Sequence, residues 1–186
     1  MSTAIILYEP EKTSLVDNDA VVIGDSADGG KPKQAKVSTL RQAIASGVVN
    51  LTAATLAVTQ ALHGGKVVTI NRAAGSTLTL PAASGSGAVF KFFVGTTVTS
   101  NAIVIQAASA SDSMAGLALV AQDGGDTAVA FETAADSDTI TMNGTTKGGI
   151  LGDMIEVIDV ASGKFWVRVT ASASGTEVTP FSADVS

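Results

Sequence analysis

The stretch Met154–Thr170, MIEVIDVASGKFWVRVT, decides the fold class of this chain of 186 residues. Two runs rich in β-branched and aromatic residues, Met154–Val160 and Phe165–Thr170, flank the short polar segment ASGK, which is typical of two strands joined by a tight turn. Because successive side chains of a strand point to opposite faces of its sheet, the second run has two distinct sides. One side is predicted to carry Phe165, Val167 and Val169, and the other Trp166, Arg168 and Thr170.

Outward from this pair, the chain after Asn50 consists mostly of short predicted strands separated by turns rich in Gly, Ser and Asn. These strands are Val67–Ile70, Thr77–Leu80, Ala88–Val94, Ala102–Gln106, Thr127–Phe131 and Asp138–Met142. The last runs into Asn143-Gly144, a strong signal for a hairpin turn, while Leu51–Leu62 fits a helix or a strand. The pattern predicts a mainly β fold, with a β-sandwich or jelly-roll-like domain or a barrel.

Residues 1–49 have a mixed pattern and are predicted to form a small N-terminal segment with a short helix, beside a β domain at residues 50–186. A strand is predicted at Ala20–Ile23, followed by the polar stretch DSADGGKPKQ. We expect Gly29–Lys33 within this stretch to be a flexible turn or linker, because glycine permits positive φ and Pro32 cannot donate to a strand ladder.

A short helix is predicted at about Thr39–Ser46, within the segment KVSTLRQAIASG. Ser38 is a candidate N-cap and Gly47 is a natural stop. Leu40 and Ile44 lie on one face of this helix. A helix of this length is not stable alone, so we expect it to dock on its own domain or on a partner.

The composition excludes several kinds of chemistry. Ala, Ser, Thr, Val and Gly make up 109 of the 186 residues, whereas aromatic residues are 4% and charged residues 15%. Without Cys there is no disulfide, thiolate zinc site or cysteine nucleophile, and the single His63 excludes a multi-histidine metal centre within one chain. A core of small aliphatic side chains buries little apolar area per residue, which favours a homo-oligomer.

The net charge of −6 is unevenly distributed along the chain. Residues 1–49 hold five basic and six acidic side chains, a net of −1, whereas residues 50–186 hold six basic and eleven acidic, a net of −5. No Lys or Arg occurs from Phe92 to Thr146, so we expect no nucleic-acid partner. Because no secretory signal or bilayer-spanning run is present, we expect a soluble protein that is made in the cytoplasm and has no membrane partner.

Residues capable of acid–base or metal chemistry are few, and their spacing matches no known site. His63 is a candidate general base, but no G-x-S-x-G motif accompanies it, so a turn histidine near the surface is favoured. The glycines of GSG at Gly85–Gly87 precede a strand and not a helix, unlike those of a phosphate-binding loop. Four aspartates could indicate calcium but lack EF-hand spacing, which favours solvated turn residues: Asp123, Asp126, Asp136 and Asp138. We therefore expect no cofactor, no metal and no enzymatic activity.

Trp166 is the most informative single residue, because its strand neighbours Arg168 and Thr170 make that side of the strand mixed in polarity. The indole either packs at the edge of the core or anchors an interface, since Trp and Arg are enriched at binding hot spots. The candidate interface residues of the whole chain are Tyr8, Leu40, Arg41, Ile44, Trp166 and Arg168.

Two stretches resemble known proteins: Thr69–Ser109, TINRAAGSTLTLPAASGSGAVFKFFVGTTVTSNAIVIQAAS, and Thr139–Ala183, TITMNGTTKGGILGDMIEVIDVASGKFWVRVTASASGTEVTPFSA. Their pattern of β runs and turns resembles a β-rich domain in virion structural proteins of tailed bacteriophages. It is similar to capsid decoration (cement) proteins and to related head and fibre components. The resemblance covers about Val67 to Ala183.

The resemblance implies a structural protein at the capsid surface of a virion, which decorates and stabilises the outer shell. It implies the major capsid protein as partner and a homo-oligomer, with a trimer favoured. The N-terminal segment is then the candidate attachment arm. The alternative is a head-fibre or tail-associated adhesin or carbohydrate-binding module, a class that usually presents exposed aromatic side chains for stacking.

Overall fold

The computed structural model describes residue 16, residues 18–38, residue 40, residues 47–122 and residues 127–185. The fold is mainly β, as the sequence predicts. The chain divides into two compact units, Met1–Ala45 and Ser46–Ser186.

The described part of the first unit is an antiparallel two-stranded ribbon of β1 (Ala20–Asp25) and β2 (Lys31–Lys36). A 3-10 turn at Ser26–Asp28 and Gly29-Gly30, with φ of +62° and +80°, connect the two strands. The strand predicted at Ala20–Ile23 is confirmed. The linker predicted through Pro32 is wrong from Lys31 onward, because each strand of a two-stranded ribbon has a free edge that tolerates proline.

The helix predicted at about Thr39–Ser46 lies mostly outside the described residues. Val37, Ser38 and Leu40 are helical. Ser38 therefore lies within the helical segment, and the predicted N-cap position is not where the helix begins.

Two sheets and a short helix, α1 (Gln60–His63), make up the described part of the second unit. The larger sheet has the spatial order β10 (Ala128–Glu132), β9 (Ser113–Gln122), β13 (Lys164–Ala173), β12 (Met154–Ala161), β7 (Val89–Val94), β5 (Val67–Ile70) and β3 (Val48–Leu51). The smaller sheet has the order β14 (Phe181–Ser182), β11 (Thr139–Met142), β8 (Ile103–Gln106), β6 (Ser76–Thr79) and β4 (Thr55–Ala57). Leu51–Leu62 is thus neither one helix nor one strand, since it contains β4 and the start of α1.

Six successive strands, β3 to β8, alternate between the two sheets. In the larger sheet β3, β5 and β7 lie side by side and parallel, and β4, β6 and β8 do the same in the smaller sheet. Consecutive strands therefore form three stacked coils that run in one direction. Because a jelly roll is built from antiparallel Greek keys, these parallel ladders do not confirm a jelly roll and are those of a sandwich with mixed sheets.

The hairpin predicted from Met154–Thr170 is confirmed, because β12 and β13 are antiparallel neighbours. The hairpin predicted at Asn143-Gly144 is wrong, since β11 and β12 lie in different sheets. The side-chain oxygen of Asn143 instead closes a local turn, accepting hydrogen bonds from the backbone N–H of Thr145 and Lys147 at 3.0 Å each. The Asn-Gly signal marks a turn without specifying which strands it joins.

Strand β9 is missing from the predicted strands, although its ten residues equal β13 in length. Its sequence, SMAGLALVAQ, is rich in Ala and poor in β-branched residues, so intrinsic preference does not mark it as a strand. Its conformation is decided by its ladders, parallel with β13 and antiparallel with β10.

The two sheets enclose one hydrophobic core. Side chains of β13 alternate between buried and exposed along its length, which confirms the two sides predicted for this strand. The largest buried side chains come from both sheets and include Phe90, Phe92, Phe165, Leu78, Ile105 and Ile140.

Candidate interaction surfaces

Asp159 on β12 is buried, and its carboxylate holds the loop Ser84–Gly87. It accepts hydrogen bonds from the backbone N–H groups of Ser84, Gly85 and Ser86 at 2.7 to 3.2 Å. The hydroxyls of Ser84 and Ser86 donate to it as well, at 2.9 and 2.7 Å. Burial alone raises the pKa of this carboxyl group, but the hydrogen bonds outweigh burial and lower the pKa to about 2. The glycine-rich segment therefore surrounds an anion, and that anion is the protein's own carboxylate.

Asp153 is a second buried carboxylate with a structural role. It accepts hydrogen bonds from the backbone N–H groups of Gly149 at 2.7 Å, Ile150 at 3.0 Å and Ser172 at 2.8 Å. It therefore joins the loop before β12 to strand β13. Burial raises the pKa of Asp153, and the hydrogen bonds from Ile150, Ser172 and Gly149 offset only part of that increase.

Asp138 is also buried, so the prediction that it is a solvated turn residue is wrong. Its carboxylate accepts hydrogen bonds from the Thr139 hydroxyl at 2.7 Å and from the backbone N–H groups of Asp184 and Val185 at 2.9 and 3.2 Å. It thereby fixes the C-terminal residues that follow β14. Two other aspartates from the predicted calcium group, Asp123 and Asp126, lie outside the described residues. Within the described ranges, no cluster of three or more His, Asp or Glu is arranged to hold a metal ion.

His63 ends helix α1 with a buried imidazole, so the prediction of a surface histidine is wrong. The backbone N–H of Thr59 donates to His63 Nδ1 at 2.9 Å, and an N–H can only donate, so Nδ1 is the acceptor. The Thr59 hydroxyl caps the same helix by accepting from the N–H of Leu62 at 3.3 Å. The imidazole thus accepts a hydrogen bond from the backbone of Thr59, the residue that caps the start of the helix.

The side chains of the larger sheet that point away from the core form a surface that we call the outer face. Directly paired residues of neighbouring strands share a side, so the strand registers order this face into rows across β7, β12, β13, β9 and β10. The first row is Val89, Ile158, Trp166 and Ala115. The second row is Lys91, Glu156, Arg168, Leu117 and Glu132. The third row is Phe93, Met154, Thr170, Leu119 and Ala130.

Among the three rows of the outer face, the second carries the charges. Arg168 Nη2 lies 3.1 Å from Glu156 Oε2, and Lys91 Nζ lies 3.8 Å from Glu156 Oε1. The Arg168 guanidinium also lies 5.8 Å from the centroid of the Trp166 ring, within cation–π range. The charged row is therefore internally paired and lies between two rows that are mostly apolar.

The two-stranded ribbon forms a second exposed surface, which we call the ribbon face. As the register shows, one side of the ribbon includes Val21, Ile23, Lys31, Lys33 and Ala35. Val21 is 38% and Ile23 42% exposed, which is high for aliphatic side chains of a strand. The Asp28 carboxylate forms ion pairs with two lysines of the ribbon, 3.0 Å from Lys31 Nζ and 3.7 Å from Lys33 Nζ.

The structure places the predicted interface residues in different parts of the chain. Tyr8, Arg41 and Ile44 lie outside the described residues. Leu40 is helical and half-buried. Trp166 and Arg168 lie together on the outer face, where Trp166 is 36% exposed.

Sequence reasoning missed the exposed apolar residues on β9, the strand next to Trp166. Leu117 and Leu119 are 41% and 42% exposed, and they extend the outer face along β9. A strand prediction for Ser113–Gln122 would have revealed them, because its alternate residues from Ala115 to Ala121 are all apolar. The signal was hidden by the high Ala content of the segment.

Comparison with known proteins adds no relative. The chain matches no family model, and no curated protein matches it significantly.

The buried carboxylates have structural roles, whereas the two exposed surfaces are suited to binding. Four buried carboxylates each hold backbone N–H groups of loops or termini: Asp112, Asp138, Asp153 and Asp159. In the ranges that the structure describes, no helix is long and apolar enough to cross a membrane. The outer face and the ribbon face present apolar side chains beside charges, a composition found at protein interfaces.

Proposed function

We propose that this chain is a structural virion protein that decorates and stabilises the outer shell of a tailed-bacteriophage capsid. The observation that carries the proposal is the exposed ribbon face, with Val21 and Ile23 beside Lys31 and Lys33. A two-stranded ribbon is marginally stable by itself, so aliphatic side chains exposed on it gain stability when another surface covers them. The ribbon is therefore the attachment element, and the major capsid protein is its partner.

The chemistry of the ribbon face defines the capsid surface that it fits. Two aliphatic side chains flanked by Lys31 and Lys33 match an apolar patch bordered by acidic residues. The rest of the chain is acidic, so these lysines also reduce repulsion between the protein and such a surface. The small-residue sandwich then forms the covering body of the decoration.

Labelling of intact virions with an antibody against the chain tests this function. We expect label distributed over the head, and label confined to tails or fibres would contradict the proposal. Binding of the purified full chain to undecorated capsids is the second measurement. We expect Lys31→Glu to weaken this binding, and Lys147→Glu, which makes the same charge change in the second unit, to leave it unaltered.

The second candidate function, a head-fibre or tail-associated carbohydrate-binding module, is favoured by one feature. The exposed indole of Trp166 lies 5.8 Å from the guanidinium of Arg168, which lines a depression of about 150 Å³ together with other polar and apolar side chains: Lys91, Met154, Glu156 and Thr170. Aromatic rings next to hydrogen-bonding groups are the usual elements of a sugar site. Glycan-array binding that is lost in Trp166→Ala, together with tail or fibre labelling, would favour this function over capsid decoration.

A further inference from the structure

The outer face is more apolar than expected for a sheet face that is exposed to water. A sheet with one face in water alternates apolar residues inside with polar residues outside. On β9 the outward residues include Leu117 and Leu119, and on β12 they include Met154 and Ile158, although the inward residues of both strands already fill the core. A sheet that is apolar on both sides is typical of one that is covered on both sides.

The charges in the three rows of the outer face cancel within one copy. Lys91 and Arg168 oppose Glu156 and Glu132, so its three rows sum to zero, whereas the whole chain has a net charge of −6. Burying this face therefore does not require a partner of opposite charge. Contact between two copies through this face also keeps their negative charge outside the interface.

The rows are also complementary to themselves. A two-fold axis parallel to the strands, between β12 and β13, places Glu156 of one copy opposite Arg168 of the other, and the reverse pair forms as well. The same axis places Ile158 opposite Trp166 in the first row. It places Phe93 opposite Leu119 in the third row, so apolar rows meet apolar rows, whereas in the charged row Glu156 and Arg168 meet with opposite signs and Lys91 lies opposite Leu117.

The size of the outer face is sufficient for a stable contact. Because β5 lies opposite β10 about this axis, the contact involves six strands, which at about 4.8 Å spacing and a mean length of about seven residues give an area of about 29 by 23 Å, or about 670 Å² per copy. Two copies would bury about 1,300 Å² in total, which exceeds the value of about 1,000 Å² expected of a specific interface.

We propose that the outer face is a self-association surface, on which the outer face of a second copy of this chain packs around a two-fold axis. Trp166 is the aromatic anchor beside the two-fold axis, and Leu117 and Leu119 extend the contact along β9. The contact is isologous and predicts a dimer or an assembly of dimers, in place of the trimer that the resemblance implies. It is independent of what the ribbon face binds.

Sedimentation velocity of the full chain over a range of concentrations tests this proposal. We expect twice the mass of one chain for the wild type. Leu119→Arg should raise the dissociation constant by roughly a hundredfold, because an isologous contact contains each substitution twice. Leu151→Arg is the matched control, since Leu151 is 61% exposed and lies off the outer face. A monomer at all concentrations, a trimer, or equal dissociation constants for the two variants would overturn the proposal.

Cross-linking gives a second measurement that does not depend on a disruptive substitution. The chain has no Cys, so a bis-maleimide that spans about 10 Å, the separation of packed sheets, reacts only with introduced thiols. A mixture of Phe93→Cys and Leu119→Cys chains should form a cross-linked heterodimer. The proposal fails if this mixture gives no more product than a mixture of Phe93→Cys with Leu151→Cys.

Discussion

The Asp159 carboxylate binds Ser86 through both of that residue's donors, the backbone N–H at 3.0 Å and the hydroxyl at 2.7 Å. Asp159 lies on β12 and Ser86 precedes β7, so this pair connects a core strand to a loop 73 residues away in the sequence. A buried carboxylate that is satisfied by N–H and O–H donors combines a low pKa with a fixed loop.

Replacing Asp159 by Asn should destabilise the fold. The amide group keeps one oxygen and turns an NH2 towards N–H donors, so part of the loop Ser84–Gly87 loses its acceptor. We expect the free energy of unfolding to fall by about 3 kcal/mol, measured by urea denaturation at neutral pH. Asp136→Asn is the matched control, because Asp136 is exposed, and it should change stability by less than about 0.5 kcal/mol. Equal effects of the two substitutions would contradict the role of Asp159.

The stability effect of Asp159 should depend on pH in a defined direction. Its pKa falls from an ordinary 3.8 to about 2 on folding, so the folded state binds the proton more weakly than the unfolded state. Its contribution, about 2 kcal/mol, is present above pH 4 and is lost as the pH falls towards 2. The destabilisation by Asp159→Asn should therefore shrink below pH 4. A cost that stays constant from pH 6 to pH 2 would count against this coupling.

Asp153 should show the opposite pH dependence. Burial raises its pKa in the folded state, so folding favours its protonated form. Its contribution to stability is then greatest below its ordinary pKa and decreases as the pH rises through the raised value. The cost of Asp153→Asn, measured by urea denaturation, should accordingly grow as the pH falls towards 4. If this cost instead shrinks on acidification, the direction of the pKa shift is wrong.

His63→Ala should destabilise the fold by about 2 kcal/mol. The substitution leaves a cavity and removes the acceptor for the Thr59 N–H at the start of α1. Gln60→Ala on the same helix is the control, since the Gln60 side chain is exposed and the capping contacts remain. Thermal unfolding should separate the two variants, with a clearly lower Tm for His63→Ala. Equal Tm values would show that the buried imidazole does not support the helix.

Gly116→Ala should be strongly destabilising, because an added Cβ would overlap the carbonyl oxygen of Val167 on the neighbouring strand. Moving β9 away from β13 would weaken their ladder, and we expect a loss of about 3 kcal/mol. Gly47→Ala is the matched control, since a Cβ there meets no atom within 4 Å. Denaturant unfolding measures both, and a neutral Gly116→Ala would contradict the close approach of the strands.

Local sequence predicted the strands whose composition matches their environment. Val67–Ile70 is observed with the predicted bounds, and Ala88–Val94 and Met154–Val160 differ from the observed strands by one residue at one end. In each case β-branched or aromatic residues alternate or cluster, so side-chain preference and burial agree. Trp166 and Arg168 were predicted on one side of their strand for the same reason, since a strand's period of two is local.

The rest required the tertiary structure. Nothing local in SMAGLALVAQ distinguishes a strand from a helix, and β9 is a strand because β13 and β10 offer it two ladders. Likewise, turn signals could not show that β3 to β8 alternate between sheets, since pairing partners lie 19 or more residues apart. The roles of Asp159 and Asp153 also depend on donors that the fold brings to them from distant segments, such as Ser86 and Ser172.

By itself the sequence determined a mainly β chain without thiol or multi-histidine chemistry, because composition and the period of two act over a few residues. The tertiary structure decided which strands are parallel, which aspartates are buried, and which apolar side chains remain exposed after the core is filled. Leu117, Leu119 and Trp166 come from two strands, and only the parallel register of β9 and β13 makes them one surface. A surface of this kind forms only when strands that are distant in the sequence pack side by side, so local sequence patterns do not reveal it.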